Sequence, residues 1–396
     1  MEEDFVKATD LISLLGGLSL FLYGMQMMSN GLEAAAGNKM KRILERLTAN
    51  RILGVLVGAG ITAVIQSSSA TTVMVVGFVN SGMMTLQQAV WIIMGANIGT
   101  TITGQLIALD IGAIAPLFAF IGVAMIVFLK KEKLHHFGKI IAGLGILFIG
   151  MDMMSAAMMP LRESEAFISL MTQFSNPVLG ILAGAIFTAI IQSSSASVGI
   201  LQALASSGVI GLPQAVYVLF GQNIGTCITA VLAAIGTSRN AKRTTIIHLS
   251  FNIIGTIVFT IICMVTPFVS LMEGLTPNVS AQIANTHTIF NITTTLLLLP
   301  FGTQLAKMAT KILPDRAEEK EDTMHLEYIQ PMIPIETRGE TKIGISAIAV
   351  NAIRNELTRM TKMAKENVAL SFDAVREGNT GLLEEECSAL LREFFQ

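Results

Sequence analysis

"AVIQSSSATT" (Ala63–Thr72) and "AIIQSSSASV" (Ala189–Val198) set the same four residues, Gln-Ser-Ser-Ser, inside two long apolar stretches. An amide and three hydroxyls at the depth of a bilayer are costly unless they are given partners. Gln192 lies 126 residues after Gln66, and that offset recurs. It pairs "GMQMMS" (Gly24–Ser29) with "GMDMMS" (Gly150–Ser155), Gln88-Ala89-Val90 with Gln214-Ala215-Val216, and Asn97–Thr100 with Asn223–Thr226. Between Gly58 and Thr103 about half the positions match their partners without a gap. The chain is a tandem duplication, the construction of repeat-built transporters.

Composition places the duplication in a membrane. Of 396 residues, 52% are hydrophobic and 14% charged, against roughly 25% charged in soluble domains; mean hydropathy is +0.64. Charge collects after Asp315. The expected organisation is a first membrane repeat over 1–126 and a second, with an extra terminal span, over 127–305. A linker over 306–342 and a helical segment over 343–396 follow. Net charge of −2 leaves no nucleic-acid footprint. The three cysteines, Cys227, Cys263 and Cys387, have neither the number nor the spacing of a disulfide framework or zinc site. The start, "MEEDFVKATD", is acidic, so Leu11–Met28 reads as a retained transmembrane helix rather than a signal peptide.

Basic residues orient the two copies, because short cytoplasmic loops are rich in Lys and Arg. Asn30–Ile52 carries Lys39, Lys41, Arg42, Arg46 and Arg51, whereas its counterpart Ala156–Val178 carries only Arg162, beside Glu163 and Glu165. "KKEKLHHFGK" (Lys130–Lys139) and "SRNAKR" (Ser238–Arg243) are basic as well. The consistent assignment puts the N-terminus outside the plasma membrane, the C-terminus in the cytoplasm, and the two copies in opposite orientation. Each copy then needs an odd number of crossings. Spans are expected at Leu11–Met28, Leu86–Leu109 and Ala113–Leu129, with a final one at Ile283–Leu299, each near the length a bilayer demands. Ile52–Ser81 is left as a re-entrant hairpin with QSSS at its tip, and copy two repeats the plan.

If the hairpins enter from opposite sides, their tips meet. Gln66, Ser67, Ser68 and Ser69 then face Gln192, Ser193, Ser194 and Ser195. Amides and hydroxyls donate and accept, and the helix following each tip offers free N–H groups, which together suit a small oxyanion. The bland reading is that small residues let helices pack closely; packing alone does not require the repeated Gln. "GANIGTTIT" (Gly95–Thr103) and "GQNIGTCIT" (Gly221–Thr229) read as breaks in a spanning helix. There Asn97, Thr100, Asn223 and Thr226, with loosened carbonyls, offer hard oxygens to a cation such as Na⁺; a packing kink is the alternative. His-x-x-Phe-Asn stands at His248–Asn252 and His287–Asn291, putting His and Asn on one helix face. Asn252 and Asn291 are further cation candidates, and interhelical hydrogen bonding is the competing role. Asp152, paired by the repeat with Gln26, is the one acid well inside a span.

In these motifs the sequence resembles the type II sodium–phosphate cotransporters. Paired QSSS in inverted repeats, each followed by G-x-N-I-G-T, and a late His-x-x-Phe-Asn are hallmarks of that family. The resemblance covers about Leu11 to Leu305 and implies phosphate between the QSSS tips with sodium ions nearby. In animal members an Asp stands beside the His, where this chain has Leu249 and Thr288, so ion number does not carry over. Bacterial members often carry a PhoU-like helical domain. Gly344–Arg376 reads as one long amphipathic helix, "EGNTG" (Glu377–Gly381) breaks it, and Leu382–Phe395 starts another, which resembles the opening of such a domain. A helical hairpin for homodimerisation is the bland equivalent.

The expected fold is therefore an all-α membrane protein of two inverted-topology repeats, each with a QSSS hairpin and a broken transmembrane helix, plus a soluble C-terminal helical segment. The expected function is Na⁺-coupled movement of inorganic phosphate by alternating access, without a cofactor. Export, a phosphate sensor signalling to a cytoplasmic partner through the C-terminal helices, and a channel are the alternatives. No nucleophile–base pair, metal cluster or nucleotide loop points to an enzyme.

Overall fold

The computed structural model describes residues 8–36, 50–109 and 111–315, with scattered helical positions between 354 and 369. Lys39, Lys41, Arg42 and Arg46 lie outside the described residues, as do most of the helix expected over Gly344–Arg376 and all of that over Leu382–Phe395. Two compact units follow, Met1–Leu313 and Pro314–Gln396.

Fifteen α-helices and no strand occur among the described residues. Copy one comprises α1 (Ala8–Ala36), α2 (Arg51–Ile65), α3 (Ser68–Asn80), α4 (Leu86–Ile107) and α5 (Ala115–Phe128). Copy two comprises α6 (Glu132–Met158), α7 (Glu165–Gln173), α8 (Pro177–Ile191), α9 (Ser194–Ser206), α10 (Leu212–Gly225), α11 (Cys227–Ala233) and α12 (Arg239–Val265). Then come α13 (Phe268–Leu275), α14 (Val279–Leu298) and α15 (Gly302–Ile312). Among the described residues six helices are long and apolar enough to cross a membrane.

The repeat offset survives to the residue. Helices α2 and α3 become α8 and α9 when 126 is added to each boundary. Asn50 and Asn176 cap α2 and α8 alike, their side-chain oxygens accepting from Ile52 N at 2.9 Å and Val178 N at 3.0 Å. Both hairpins turn at a glutamine, Gln66 (φ 59°) and Gln192 (φ 60°). Both leave at a left-handed glycine, Gly82 and Gly208.

Glycines seat the helices. A Cβ on Gly24 of α1 would lie 2.4 Å from Leu147 N and 2.6 Å from Gly143 O of α6. Gly17 meets α6 at Gly150 and Met154, and Gly31 meets it at His136 and Ile140. As the α1 number rises the α6 number falls, so these equivalent helices run antiparallel. The contact is also reciprocal: a Cβ on Gly150 would lie 2.6 Å from Gly17 O, the Gly24–Gly143 contact with the copies exchanged. Phe21, Leu147, Phe148 and Met154 close the core around this seam.

One expectation is overturned here. Helix α4 runs unbroken through Gly95–Thr103. In copy two only Thr226 separates α10 from α11, with helical dihedrals and its N–H still bonded to Gln222 O at 3.1 Å. The glycines do something else. A Cβ on Gly95 would lie 2.0 Å from Val55 O, and one on Gly99 2.4 Å from Ala59 O. Gly221 and Gly225 meet Ile181 O and Ala185 O at 2.0 and 2.3 Å. G-x-N-I-G is thus a small-xxx-small seam that draws each QSSS hairpin against its neighbouring helix. No unwound carbonyls are freed there for a cation.

Gly24→Ala and Gly150→Ala should each cost about 1–3 kcal/mol by overpacking, read as a lower melting temperature of the detergent-purified protein. Gly60→Ala and Gly77→Ala, whose added methyl would meet nothing within 4 Å, should leave stability unchanged or raise it by about 0.5–1 kcal/mol. Equal losses at all four positions would contradict the seam.

Candidate functional site

Each tip is built by its own sequence. Gln66 N bonds back to Thr62 O at 2.7 Å and ends α2; Ser67, extended at φ −146°, then caps α3, its hydroxyl accepting from Ala70 N at 3.1 Å. Gln192 and Ser193 repeat both bonds, to Thr188 O at 2.7 Å and from Ala196 N at 3.2 Å. The first serine of each motif is therefore a helix cap. A left-handed turn costs a residue with a Cβ about 1–2 kcal/mol more than glycine. Two glutamines placed there mark a point where a side chain is wanted, since strain of this kind collects at functional sites.

The tips are brought together. Ser68 Oγ lies 3.4 Å from Ser194 Oγ, and Ser194 Oγ lies 3.4 Å from Thr100 Oγ1. Ser195 Oγ is 3.2 Å from Thr103 Oγ1, and Thr229 Oγ1 donates to Ser69 Oγ at 3.2 Å. The last two contacts are one contact with the copies exchanged. Ser68, Ser194, Ser195, Thr100 and Thr103 are all buried. The glutamines differ. Gln66 is buried, accepts from Thr103 at 2.8 Å and donates to Ala63 O, whereas Gln192 is exposed. Thr103 and Thr229 escaped the sequence analysis, although both stand three residues after a paired Thr at the same repeat position.

The cation candidates fall into two groups. The amides of Asn97 and Asn223 donate to Ile93 O (2.8 Å) and Leu219 O (3.0 Å) within their own helices. Asn223 Oδ1 faces His287 Nε2 at 3.2 Å, and Thr226 donates to Gln222 O at 2.9 Å. Asn252 and Asn291 donate to His248 O and His287 O one turn back, at 3.1 and 3.0 Å. Their side-chain oxygens, fully buried, meet no hydrogen-bond donor, and neither does Thr294 Oγ1. These are hard, neutral oxygens of the kind an alkali cation takes. Among the described residues no three His, Cys, Asp or Glu side chains gather as a transition-metal site would need.

No Lys, Arg, Asp or Glu lies between Ile52 and Ser81 or between Val178 and Ser207. The meeting point is therefore polar but uncharged. It can hold an anion only through hydroxyls, amides and the N–H groups opening α3 and α9.

Known proteins align with this architecture. The Na⁺/Pi-cotransporter family profile matches the chain twice, over residues 20–156 and 158–298, one match for each copy. The protein YqeW of Bacillus subtilis is 33% identical over 309 residues, 77% of this chain and 98% of YqeW. YjbB of Salmonella typhimurium, named for inorganic phosphate export, is 28% identical over 78% of this chain, which spans 56% of its length. Human sodium-dependent phosphate transport protein 2B is 38% identical over 101 residues, 25% of this chain and 15% of its own. No solved structure matches. The chain belongs to the Na⁺/Pi-cotransporter family, a family of membrane transporters.

Proposed function

We propose that the protein is a secondary transporter that binds inorganic phosphate between the two QSSS tips and couples its movement to Na⁺ by alternating access. The observation that carries this is the meeting of Ser68 and Ser194, 126 residues apart, at 3.4 Å in a buried, uncharged setting. Ser68, Ser69, Ser194 and Ser195 would contact the anion, with Gln66 and Gln192 beside them and the caps Ser67 and Ser193 presenting the helix N-termini. For Na⁺, the free oxygens of Asn252 and Asn291 are the strongest candidates. Asn97, Thr100, Asn223 and Thr226 act from the neighbouring helices through side chains rather than loosened backbone.

The antiparallel, reciprocal packing of α1 on α6 supports opposite orientation of the two copies in the membrane. In that arrangement α2–α3 and α8–α9, of 15 and 13 residues each, are too short to span singly and turn back at QSSS as re-entrant hairpins. On the basic residues of Lys130–Lys139 and Ser238–Arg243 we place the N-terminus outside and the C-terminus in the cytoplasm, and propose that the C-terminal segment meets a second copy or a regulatory partner.

Energetics bear on direction. Phosphate near neutral pH carries between about one and two negative charges, by analogy with a phosphoryl group, and each charge moved against 100 mV costs about 2.3 kcal/mol. Import of the divalent ion thus needs about two or more Na⁺ to cancel the potential, whereas export needs none. Export is the second reading, favoured by the YjbB relatives, named for phosphate export.

Proteoliposome flux of ³²P-phosphate tests the assignment. An inward Na⁺ gradient should accelerate phosphate entry relative to K⁺, and Ser68→Ala or Ser194→Ala should each raise the phosphate KM about 5- to 150-fold, the loss of roughly 1–3 kcal/mol. Flux down a phosphate gradient indifferent to Na⁺ would favour export; flux indifferent to both serines would remove the tips from the site.

Topology is checked separately. In a cysteine-free background, Asn50→Cys and Asn176→Cys, equivalent exposed caps, should react with a membrane-impermeant maleimide from opposite faces. Reaction from the same face would contradict the inverted repeat.

A further inference from the structure

The two hairpins carry the same polar groups, but only the first has them engaged. In copy one Thr62 of α2 donates to Thr71 of α3 at 3.0 Å, which ties the two arms together. The equivalent pair in copy two, Thr188 of α8 and Ser197 of α9, keeps both hydroxyls. Both residues are 0% exposed, and neither hydroxyl has a hydrogen-bond partner. The tips differ in the same sense. Gln66 is buried and accepts from Thr103 at 2.8 Å. Gln192 is exposed, and its counterpart donor Thr229 turns instead to Ser69 Oγ at 3.2 Å and Thr226 O at 3.0 Å.

The apolar side chains follow the polar ones. Val57, Ile61 and Ile65 of α2 share one core with Val75 and Val79 of α3. The core that holds Leu201 and Ala205, the equivalents on α9, takes no side chain from α8. Ile61 is 2% exposed, whereas Phe187 at the same repeat position is 39% exposed. Ala183 and Phe187 of α8 and Leu201 and Leu204 of α9 instead line a gap of about 180 Å³. Arms tied by hydroxyls pack, and arms with unmet hydroxyls stand apart. The difference is one of arrangement, since each engaged group of copy one has its counterpart in copy two.

We infer that the two hairpins lock in turn. Thr62–Thr71 and Gln66–Thr103 hold the first shut in the state seen here; in the opposite end state Thr188 bonds Ser197, Gln192 accepts from Thr229, and the first hairpin opens. A buried hydroxyl without a partner is unfavourable in any one state. Thr188 and Ser197 are kept because a second state pairs them. With the copies in opposite orientation, exchanging the lock moves the open side of the tips from one face of the membrane to the other. Thr62, Thr71, Thr188 and Ser197 are thus positioning residues, which set the state of each hairpin without touching the anion. The inference rests on the reading of the protein as a transporter that alternates between two states, but its test reads cross-linking and not flux.

In a chain lacking Cys227, Cys263 and Cys387, two pairs would be introduced separately, Thr62→Cys with Thr71→Cys and Thr188→Cys with Ser197→Cys. Disulfide formation would be followed by mass spectrometry in the full-length protein in lipid nanodiscs under mild oxidation. The first pair, at positions whose hydroxyls already touch, should cross-link readily, and the second more slowly, because it meets only in the opposite state. Thr62→Val and, separately, Thr103→Val should each speed the second cross-link about 2- to 10-fold, the value of one hydrogen bond lost from the state seen here. Should one valine variant fail to fold, the other carries the test. A second pair that never cross-links, that cross-links as fast as the first without either valine, or whose rate neither valine alters would overturn the inference. None of these results removes phosphate transport, and loss of transport with the predicted cross-linking intact would strike the transport reading alone.

Discussion

Ser68 and Ser194 sit 3.4 Å apart with no charged side chain in either hairpin, and the rest of the membrane unit is arranged to make that contact affordable. A hydroxyl buried without a partner costs about 1–3 kcal/mol. Thr100, Thr103 and Thr229 therefore surround the tips as hydrogen-bonding neighbours. The partners come from helices that must approach backbone to backbone. Gly58, Gly95 and Gly99 allow this in copy one, and Gly184, Gly221 and Gly225 in copy two, each with no room for a Cβ. The glycine seams and the hydroxyl cluster are thus one device: close packing carries polar groups to a shared point, and mutual hydrogen bonds keep them there.

Duplication explains why so much of this was legible. Two copies in register located both motifs, and the structure breaks a helix at each, at Gln66–Ser67 and Gln192–Ser193. What pattern could not supply was conformation. A left-handed residue is expected to be Gly or Asn, so nothing in the letters announced that the glutamines themselves make the turn. The asymmetry between buried Gln66 and exposed Gln192 was equally hidden, because it depends on which helices surround each tip.

G-x-N-I-G-T shows where a residue type carries two meanings. Gly, Asn and Thr in a spanning helix suggest a break, yet the glycines are four apart, which is also the spacing of a close-packing face. The second meaning holds: α4 continues and the glycines take backbone contacts. Cation chemistry, if it sits here, has to come from side chains. The buried free oxygens of Asn252 and Asn291 are better placed for it than Asn97 and Asn223, whose amides are tied within their helices and whose helices stay wound.

Disulfide trapping of the two tips is the most direct test of the whole account. In a chain lacking Cys227, Cys263 and Cys387, Ser68→Cys and Ser194→Cys together place two thiols at positions where the hydroxyl oxygens are 3.4 Å apart, within reach of a bond that needs Cβ atoms about 3.5–4.5 Å apart. Mild oxidation should cross-link them, phosphate should slow the reaction, and the cross-linked protein should lose phosphate flux until it is reduced. Failure to cross-link in a folded protein, or a cross-link that leaves phosphate flux intact, would contradict a substrate site between the tips.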